Sequence, residues 1–204
     1  VMDERERVID YIKDAAEYVR TSEGLVSASK MLERFLFSSD MQYTPIAKIS
    51  GGERRRLYLL KVLMQSPNVL ILDEPTSGLD PLVRGQLLKI LTEYMENGGK
   101  GVFFSTHITS DLDKIADMLI MIDNGRIVFR EEKDTLLDTY RIVKGDSGAL
   151  TTDARKLFLS ISETDFGFTG ITKQISEVRS YIPNIMVERP TIEDIMLGNI
   201  GGEQ

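Results

Sequence analysis

The chain has 204 residues and a formal net charge of −7, and it contains no cysteine. Its length suffices for one domain with an appendage or for two small domains. The acidic balance argues against a nucleic-acid-binding surface as its main function, and the lack of cysteine excludes disulfides and thiolate metal sites. No apolar run approaches the roughly 20 residues of a membrane-spanning helix, so work at a membrane would require a partner.

The first part of the chain is predicted to be mainly helical. Apolar residues at helical spacing predict one helix over 4–20 and a second over 27–37. A loop over 38–49 follows. The segment Ser50-Gly51-Gly52-Glu53 then opens a third helix, which is expected to run to about Gln65.

The pattern changes after this helical part to short, unbroken apolar runs. Val69–Leu72 and Val102–Ser105 predict two strands that are buried on both faces, with a helix over 82–97 between them. A strand, a helix and a strand within roughly 35 residues form a βαβ unit. Such a unit requires a parallel sheet.

A hairpin and a mixed tail are predicted for the rest of the chain. Asn124-Gly125 favours a tight turn, so strands over 118–122 and 126–130 are expected to pair antiparallel. A last helix should follow Pro190, with Thr191 as its N-cap. Other predicted elements are helices over 108–116, 131–140, 151–159 and 170–181 and a strand over 185–188. The predicted parts are thus a helical subdomain, an α/β core and an accessory region, over 1–65, 66–130 and 131–204.

The segment Ser50-Gly51-Gly52-Glu53 has two interpretations. Ser-x-x-Glu before an apolar helical run is a capping box, in which Ser50 and Glu53 satisfy each other's backbone donors. The same geometry suits an anion, because the glycine pair lets a phosphate approach the free N–H groups of a helix N-terminus. The Ser50 hydroxyl would add a further donor. Both roles can coexist.

Two adjacent carboxylates, Asp73 and Glu74, follow the first predicted strand. Open α/β sheets bind ligands at the carboxyl ends of their strands. Asp73 is therefore expected to hold Mg²⁺ through its water shell, and Glu74 to orient or polarise an attacking water. The alternative is a strand end that is acidic without a function.

Asp80 and His107 also allow a structural and a functional interpretation. Asp80 suits the N-cap of a helix whose first residue is Pro81. His107 is the only histidine, and a lone histidine is more often structural than catalytic. It follows the second buried strand directly, beside the end of the Asp73 strand, where it would contact a terminal phosphate and help to place the water.

Taken in order, the motifs SGGE, LILDEPT, SGLD and STH resemble the second half of an ABC (ATP-binding cassette) nucleotide-binding domain. The resemblance covers roughly residues 1–130. It implies an α/β, P-loop NTPase-like partial domain with a helical subdomain, a parallel βαβ core, a terminal hairpin and a small α+β appendage. It also implies ATP and Mg²⁺ as cofactors.

The resemblance further implies a role for each motif residue. The signature would contact the γ-phosphate of ATP that is held by the opposite domain of a head-to-tail dimer. Its members would be Ser50, Gly51 and Gly52. Asp73 would be the Walker B aspartate, with Mg²⁺ bound via water, and Glu74 the catalytic carboxylate. Asp80 would be the D-loop residue that communicates across the dimer, and His107 the switch histidine.

One family motif, the Walker A loop Gly-x-x-x-x-Gly-Lys-Ser/Thr, does not occur in the sequence. The nearest stretch, Gly98–Gly101, comes before a predicted strand and is expected to be a turn. Because the chain begins with Val1 and not with Met, we expect a truncated chain whose Walker A loop, Q-loop and amino-terminal strands lie upstream. Such a chain would not hydrolyse ATP alone.

Two branches of the family are resembled by different parts of the chain. Residues 1–72 are similar to the second cassette of the ABC-F proteins, which are soluble translation factors, whereas residues 76–204 resemble the ATP-binding subunit of bacterial exporters. Recombination, an assembly artefact or design would each produce such a junction.

We predict an ATPase subunit that couples ATP binding and hydrolysis to transport, at the cytoplasmic, inner face of the cell membrane. Its expected partners are a second nucleotide-binding domain and a transmembrane permease subunit. The alternatives are an ABC-F cassette with the ribosome as partner, and a non-catalytic fragment.

Overall fold

The computed structural model describes residues 2–21, 24–96 and 98–200. The chain divides into two compact units, Val1–Ile108 and Thr109–Gln204. Within the described ranges, no helix is long and apolar enough to cross a membrane. The functional division at residues 65 and 130 stays a prediction.

The first unit begins with short helices and one hairpin. In chain order, its elements before the sheet are α1 (Val8–Lys13), β1 (Tyr18–Thr21), β2 (Gly24–Ser27), α2 (Ala28–Arg34), α3 (Ser39–Gln42), a 3₁₀ turn (Ile46–Lys48) and α4 (Gly51–Met64). The helix predicted to begin at Ser50 and end near Gln65 is thus confirmed.

The predicted helix over 4–20 is wrong beyond Lys13. β1 pairs antiparallel with β2, and the paired residues Val19 and Val26 are both buried. β-branched side chains favour this extended pairing. The second predicted helix also ends earlier, at Arg34, because Leu36 takes a positive φ of 63° that a helix does not continue. The predicted loop over 38–49 contains α3 and the 3₁₀ turn.

The remainder of the first unit is the predicted βαβ unit. It consists of β3 (Val69–Asp73), α5 (Pro81–Glu96) and β4 (Gly101–Ser105), and β3 and β4 pair in parallel. The parallel sheet is therefore confirmed. The predicted helix end at Asn97 lies outside the described residues.

One face of this sheet is open, which contradicts the predicted burial on both faces. Leu70 is 3% exposed, whereas Val69, Ile71 and Phe103 are 64%, 78% and 59% exposed. Ile71 and Phe103 are register partners, so their side chains share a face. The sequence pattern reports that a strand is apolar on both sides, but not whether both sides are covered in this chain.

The second unit contains the remaining elements. They are α6 (Thr109–Ile115), β5 (Met118–Asp123), β6 (Arg126–Glu132), α7 (Lys133–Thr139), β7 (Arg141–Gly145), a 3₁₀ turn (Ser147–Ala149), α8 (Thr152–Arg155), β8 (Ser160–Thr164), β9 (Gly167–Thr172), α9 (Ile175–Tyr181), β10 (Met186–Glu188) and α10 (Ile192–Ile200). β5 and β6 form the predicted antiparallel hairpin. Its turn places Asn124 and Gly125 at φ values of 46° and 75°, as a tight turn requires.

The tail forms a four-stranded antiparallel sheet in the order β10-β7-β9-β8. The predicted helices over 151–159 and 170–181 are each too long, because α8 ends at Arg155 and residues 170–172 belong to β9. Gly170 shows why a strand forms there: a Cβ at this position would lie 2.6 Å from the Phe158 ring. The last helix is part of the core, since Ile192 and Ile195 are fully buried.

Candidate functional site

Polar side chains meet where the two parallel strands end. Asp73 and Ser105 are register partners at the last positions of β3 and β4. The Ser105 hydroxyl donates a hydrogen bond to Asp73 Oδ1 at 2.5 Å. The backbone N–H of Glu74 donates to the Ser105 carbonyl at 3.1 Å, which extends the parallel pairing by one residue. The pairing of the strands therefore holds both acids in place.

Glu74 and His107 are in direct contact at this end of the sheet. The backbone N–H of His107 donates to Glu74 Oε1 at 3.1 Å, and His107 Nδ1 lies 2.8 Å from the same oxygen. An ionised carboxylate only accepts hydrogen bonds, so Nδ1 carries the hydrogen. In the neutral imidazole, Nε2 is then an acceptor, and it becomes a donor only when the ring is charged.

Glu74 is under local strain in two respects. Its backbone has a φ of +46°, in the left-handed region that non-glycine residues rarely occupy. Its other carboxylate oxygen, Oε2, is buried and has no hydrogen-bond partner. Each feature costs on the order of 1–3 kcal/mol. Strained residues with an unsatisfied polar atom cluster at functional sites, where a ligand or water supplies the missing partner.

The start of α4 confirms the predicted capping box. The backbone N–H of Glu53 donates to Ser50 Oγ at 3.3 Å, and the N–H of Ser50 donates to Glu53 Oε2 at 2.7 Å. A Cβ placed on Gly51 or Gly52 would find no atom within 4 Å. The helix N-terminus is thus both capped and open to an approaching anion.

Asp80 begins α5 as predicted. Its Oδ1 accepts hydrogen bonds from the N–H groups of Leu82 and Val83, each at 3.1 Å. Gly78, with a φ of +72°, forms part of the turn between β3 and this helix. The structure therefore brings Asp73, Glu74 and His107 together at the strand ends, and it places Ser50 and Asp80 at the starts of two helices of the same unit.

The strand-end residues fit a hydrated Mg²⁺. Ser105 occupies Asp73 Oδ1, which leaves Oδ2 as a carboxylate oxygen for the cation, and Glu74 Oε2 is a second oxygen without a partner. Among the described residues, no group of three or more His, Cys, Asp or Glu side chains forms a closed metal site. This suits Mg²⁺, which is usually bound through one or two carboxylates together with waters and substrate phosphates.

A groove of about 850 Å³ runs along the first unit beside these residues. α4 contributes Arg55 and Tyr58 to its lining, and β3 contributes Ile71, Asp73 and Glu74. Sequence reasoning missed this groove, because it depends on how α4 lies against β3. It also missed Ser105, although a hydroxyl residue at the end of an apolar strand was a signal that could have found it.

Comparisons with known proteins agree with this geometry. The ABC transporter family matches residues 5–77. The ABC transporter ATP-binding protein YfmR of Bacillus subtilis is 48% identical over 125 residues, which cover 61% of this chain and 19% of YfmR. The Nod factor export ATP-binding protein I of Rhizobium johnstonii is 33% identical over 172 residues, which cover 78% of this chain and 55% of that protein.

A solved structure of an ATP-binding subunit of an ABC transporter has the same fold over part of its length. Its TM-score is 0.54 at 25% identity, and the match covers 68% of this chain and 57% of that one. The α/β, P-loop NTPase-like fold class is therefore confirmed. Fold and matches together define the class, that of the ABC-type ATP-binding proteins.

Within that class, the chain belongs to the ABC transporter ATP-binding family and contains part of such a domain. It spans about half the length of the Nod factor export protein and about a fifth of YfmR. Both relatives are named as ATP-binding proteins. The predicted alternative partner, the ribosome, receives no support from these relatives.

Proposed function

We propose that the chain supplies the signature and the hydrolytic residues of an ABC ATPase that powers export across a membrane. The observation that carries this proposal is the contact between Glu74 and His107 beside Asp73, at the carboxyl ends of parallel strands. The name of the Rhizobium relative supports the export role, since the 172 matched residues extend over most of the chain.

Each residue of the strand-end site has a role in this proposal. His107 holds Glu74 Oε1, which leaves the buried Oε2 to accept a hydrogen bond from the attacking water and orient it. Asp73 holds Mg²⁺ through its water shell, and the cation, when bound, neutralises charge on the phosphates. As the water oxygen bonds to the γ-phosphorus, the bond to the bridging oxygen breaks and Glu74 accepts the water proton.

The signature residues act on a different nucleotide. The Ser50 hydroxyl and the backbone amides at Gly51 and Gly52 donate to the γ-phosphate of ATP on a second nucleotide-binding domain, and Asp80 contacts that domain. The open, capped N-terminus of α4 supports this assignment. A permease subunit completes the complex, which places the chain at the inner face of the cell membrane.

The phosphate-binding loop is supplied by polypeptide that these residues do not contain. The sequence has no Walker A motif, and the open apolar face of the β3–β4 sheet supports a missing neighbour. Parallel sheets are covered on both faces in folded proteins, whereas Val69, Ile71 and Phe103 are exposed here.

The test is to assay hydrolysis with and without that missing part. The 204-residue chain alone should show no Mg-ATPase activity, because nothing in it cradles the β- and γ-phosphates. Joined to a Walker A-bearing segment of an ABC relative, it should hydrolyse ATP. Glu74→Gln and His107→Ala should then lower the turnover by about 10²- to 10⁴-fold.

Glu177→Gln, which changes a glutamate of α9 in the second unit, is the matched control and should leave turnover unchanged. Turnover by the chain alone that Glu74→Gln abolishes would show that the missing loop is not required. Turnover of the joined protein that is unaffected by Glu74→Gln and His107→Ala would refute the assignment of the catalytic residues.

A further inference from the structure

Ser105 contacts both acids of the strand-end site, and no motif of the family resemblance includes it. Its hydroxyl donates to Asp73 Oδ1 at 2.5 Å, and its carbonyl accepts from the N–H of Glu74 at 3.1 Å. The carbonyl bond belongs to the parallel strand pairing and would be kept by any residue at this position. The hydroxyl bond depends on the side chain.

This hydroxyl bond contributes little to folding. Ser105 and Asp73 are both exposed, and a hydrogen bond between exposed groups mainly replaces bonds that each would make with water. Its effect is on geometry, because an exposed aspartate without a fixed partner can rotate about its side-chain bonds. A donor on Oδ1 fixes the carboxylate and leaves Oδ2 for another partner.

We propose that Ser105 is a positioning residue, whose hydroxyl holds the Asp73 carboxylate so that Oδ2 meets the water shell of the Mg²⁺ that accompanies ATP. The inference rests on the proposed function. Groups that hydrogen-bond a metal-binding carboxylate orient it, and removing them typically weakens metal affinity or activity by about 10- to 100-fold.

Two substitutions of the same shape separate the hydroxyl from everything else. Ser105→Thr keeps the hydroxyl and Ser105→Val replaces it with a methyl group, while both are β-branched residues that suit a strand. Neither changes the backbone bond to Glu74. Ser162→Val, at an exposed serine of β8 in the second unit, is the control for valine in a strand.

In the 204-residue chain itself, the ¹³C signal of the Asp73 carboxyl carbon reports on the hydrogen bond. Ser105→Val should shift this signal, whereas Ser105→Thr should keep it near its original position and Ser162→Val should leave it unchanged. An Asp73 signal that is the same in the Val and Thr variants contradicts the proposed hydrogen bond.

In the joined protein, Mn²⁺ replaces Mg²⁺ as an EPR probe, with ATP present and Glu74→Gln blocking turnover. Ser105→Val should weaken Mn²⁺ binding on the order of tenfold, Ser105→Thr should restore it, and ATP affinity without divalent cation should not change. With Glu74 present, Ser105→Val should raise the Mg²⁺ concentration needed for half-maximal turnover while KM for ATP at saturating Mg²⁺ stays constant.

The outcomes distinguish the two proposals. If the joined protein with Ser105 neither binds Mn²⁺ with ATP nor hydrolyses ATP, the proposed function is wrong and the role of Ser105 falls with it. If that protein is active and Ser105→Val binds Mn²⁺ as tightly as Ser105→Thr, only the role of Ser105 is wrong.

Discussion

Glu74 adopts a conformation that most residues avoid, and it does so with a carboxylate that has one satisfied and one unsatisfied oxygen. Its φ of +46° would suit glycine better than glutamate. Oε1 is held by His107, while Oε2 is buried without a partner. A residue that serves stability alone would relieve this local cost, and keeping it is characteristic of catalytic positions.

Glu74→Gly should therefore stabilise the chain and abolish function. We expect a gain of about 1 kcal/mol in the free energy of unfolding, because glycine accepts the positive φ and removes the unsatisfied oxygen. Chemical denaturation measures this gain, with Glu74→Ala as the matched variant that keeps the strain of a Cβ. Equal stability of the Gly and Ala variants would argue against strain at this residue.

The bidentate pair of Arg155 and Glu163 makes a prediction about pH. Arg155 donates to the two Glu163 oxygens at 2.6 and 2.9 Å, and these bonds lower the pKa of Glu163 below its ordinary value. A lowered pKa in the folded state gives stability above the unfolded pKa, which is lost as the pH falls through the folded pKa. Arg155→Ala should return the pKa of Glu163 toward its ordinary value, as measured by ¹³C NMR titration of its carboxyl carbon. No change in this titration would mean that the pair does not persist in solution.

At the scale of the element, the N-terminus of α4 combines two functions in one residue. Ser50 caps the helix through its side chain, and the adjacent glycines leave the same N–H groups accessible. A hydroxyl serves both purposes because it accepts a hydrogen bond from the backbone and can donate one to a phosphate. An aspartate serves only the first.

Two substitutions of Ser50 should separate these functions. Ser50→Ala should cost about 1 kcal/mol of stability through loss of the cap. Ser50→Asp should keep the cap and the stability, since aspartate is an equally good N-cap. Its negative charge should nevertheless abolish hydrolysis by the joined protein, because it repels the γ-phosphate. Thermal unfolding and ATPase assays measure the two effects, and normal hydrolysis by Ser50→Asp would exclude phosphate binding at this helix.

At the scale of the whole molecule, the described part of the chain leaves apolar sheet surface uncovered in each unit. In the first unit it comprises Val69, Ile71 and Phe103 on the parallel sheet, and in the second it includes Met118, Ile120 and Ile122 along β5. Contiguous apolar surface of this kind marks contact with other polypeptide. It is the counterpart of a chain that spans only part of its relatives.

Polar substitutions on the open face of the first unit should reduce self-association without loss of stability. Ile71→Thr combined with Phe103→Thr removes exposed apolar area and keeps β-branched residues in the strands. Light scattering and sedimentation should show less association, and the free energy of unfolding should change by less than about 0.5 kcal/mol. Leu70→Thr, at the buried neighbour, should instead destabilise the unit. A large loss of stability in the double variant would show that this face is covered.

Local signals accounted for much of the fold. The caps at Ser50 and Asp80 and the turn at Asn124-Gly125 formed as predicted, because each depends on residues within a few positions of one another. The β1–β2 hairpin was missed, since apolar residues at helical spacing also occur in the segment that forms β1. The sheet of the tail was missed because β7 and β10 lie more than 40 residues apart.

The sequence by itself determined the family, the motif residues and the parallel βαβ unit, because apolar periodicity, turn chemistry and motif order are properties of the chain. Only the tertiary structure decided that Ser105 bonds to Asp73, that His107 holds one oxygen of Glu74, and that one sheet face is open. These features join strands 32 residues apart in sequence. Contacts between such distant positions depend on strand pairing and register, which no local pattern of residues specifies.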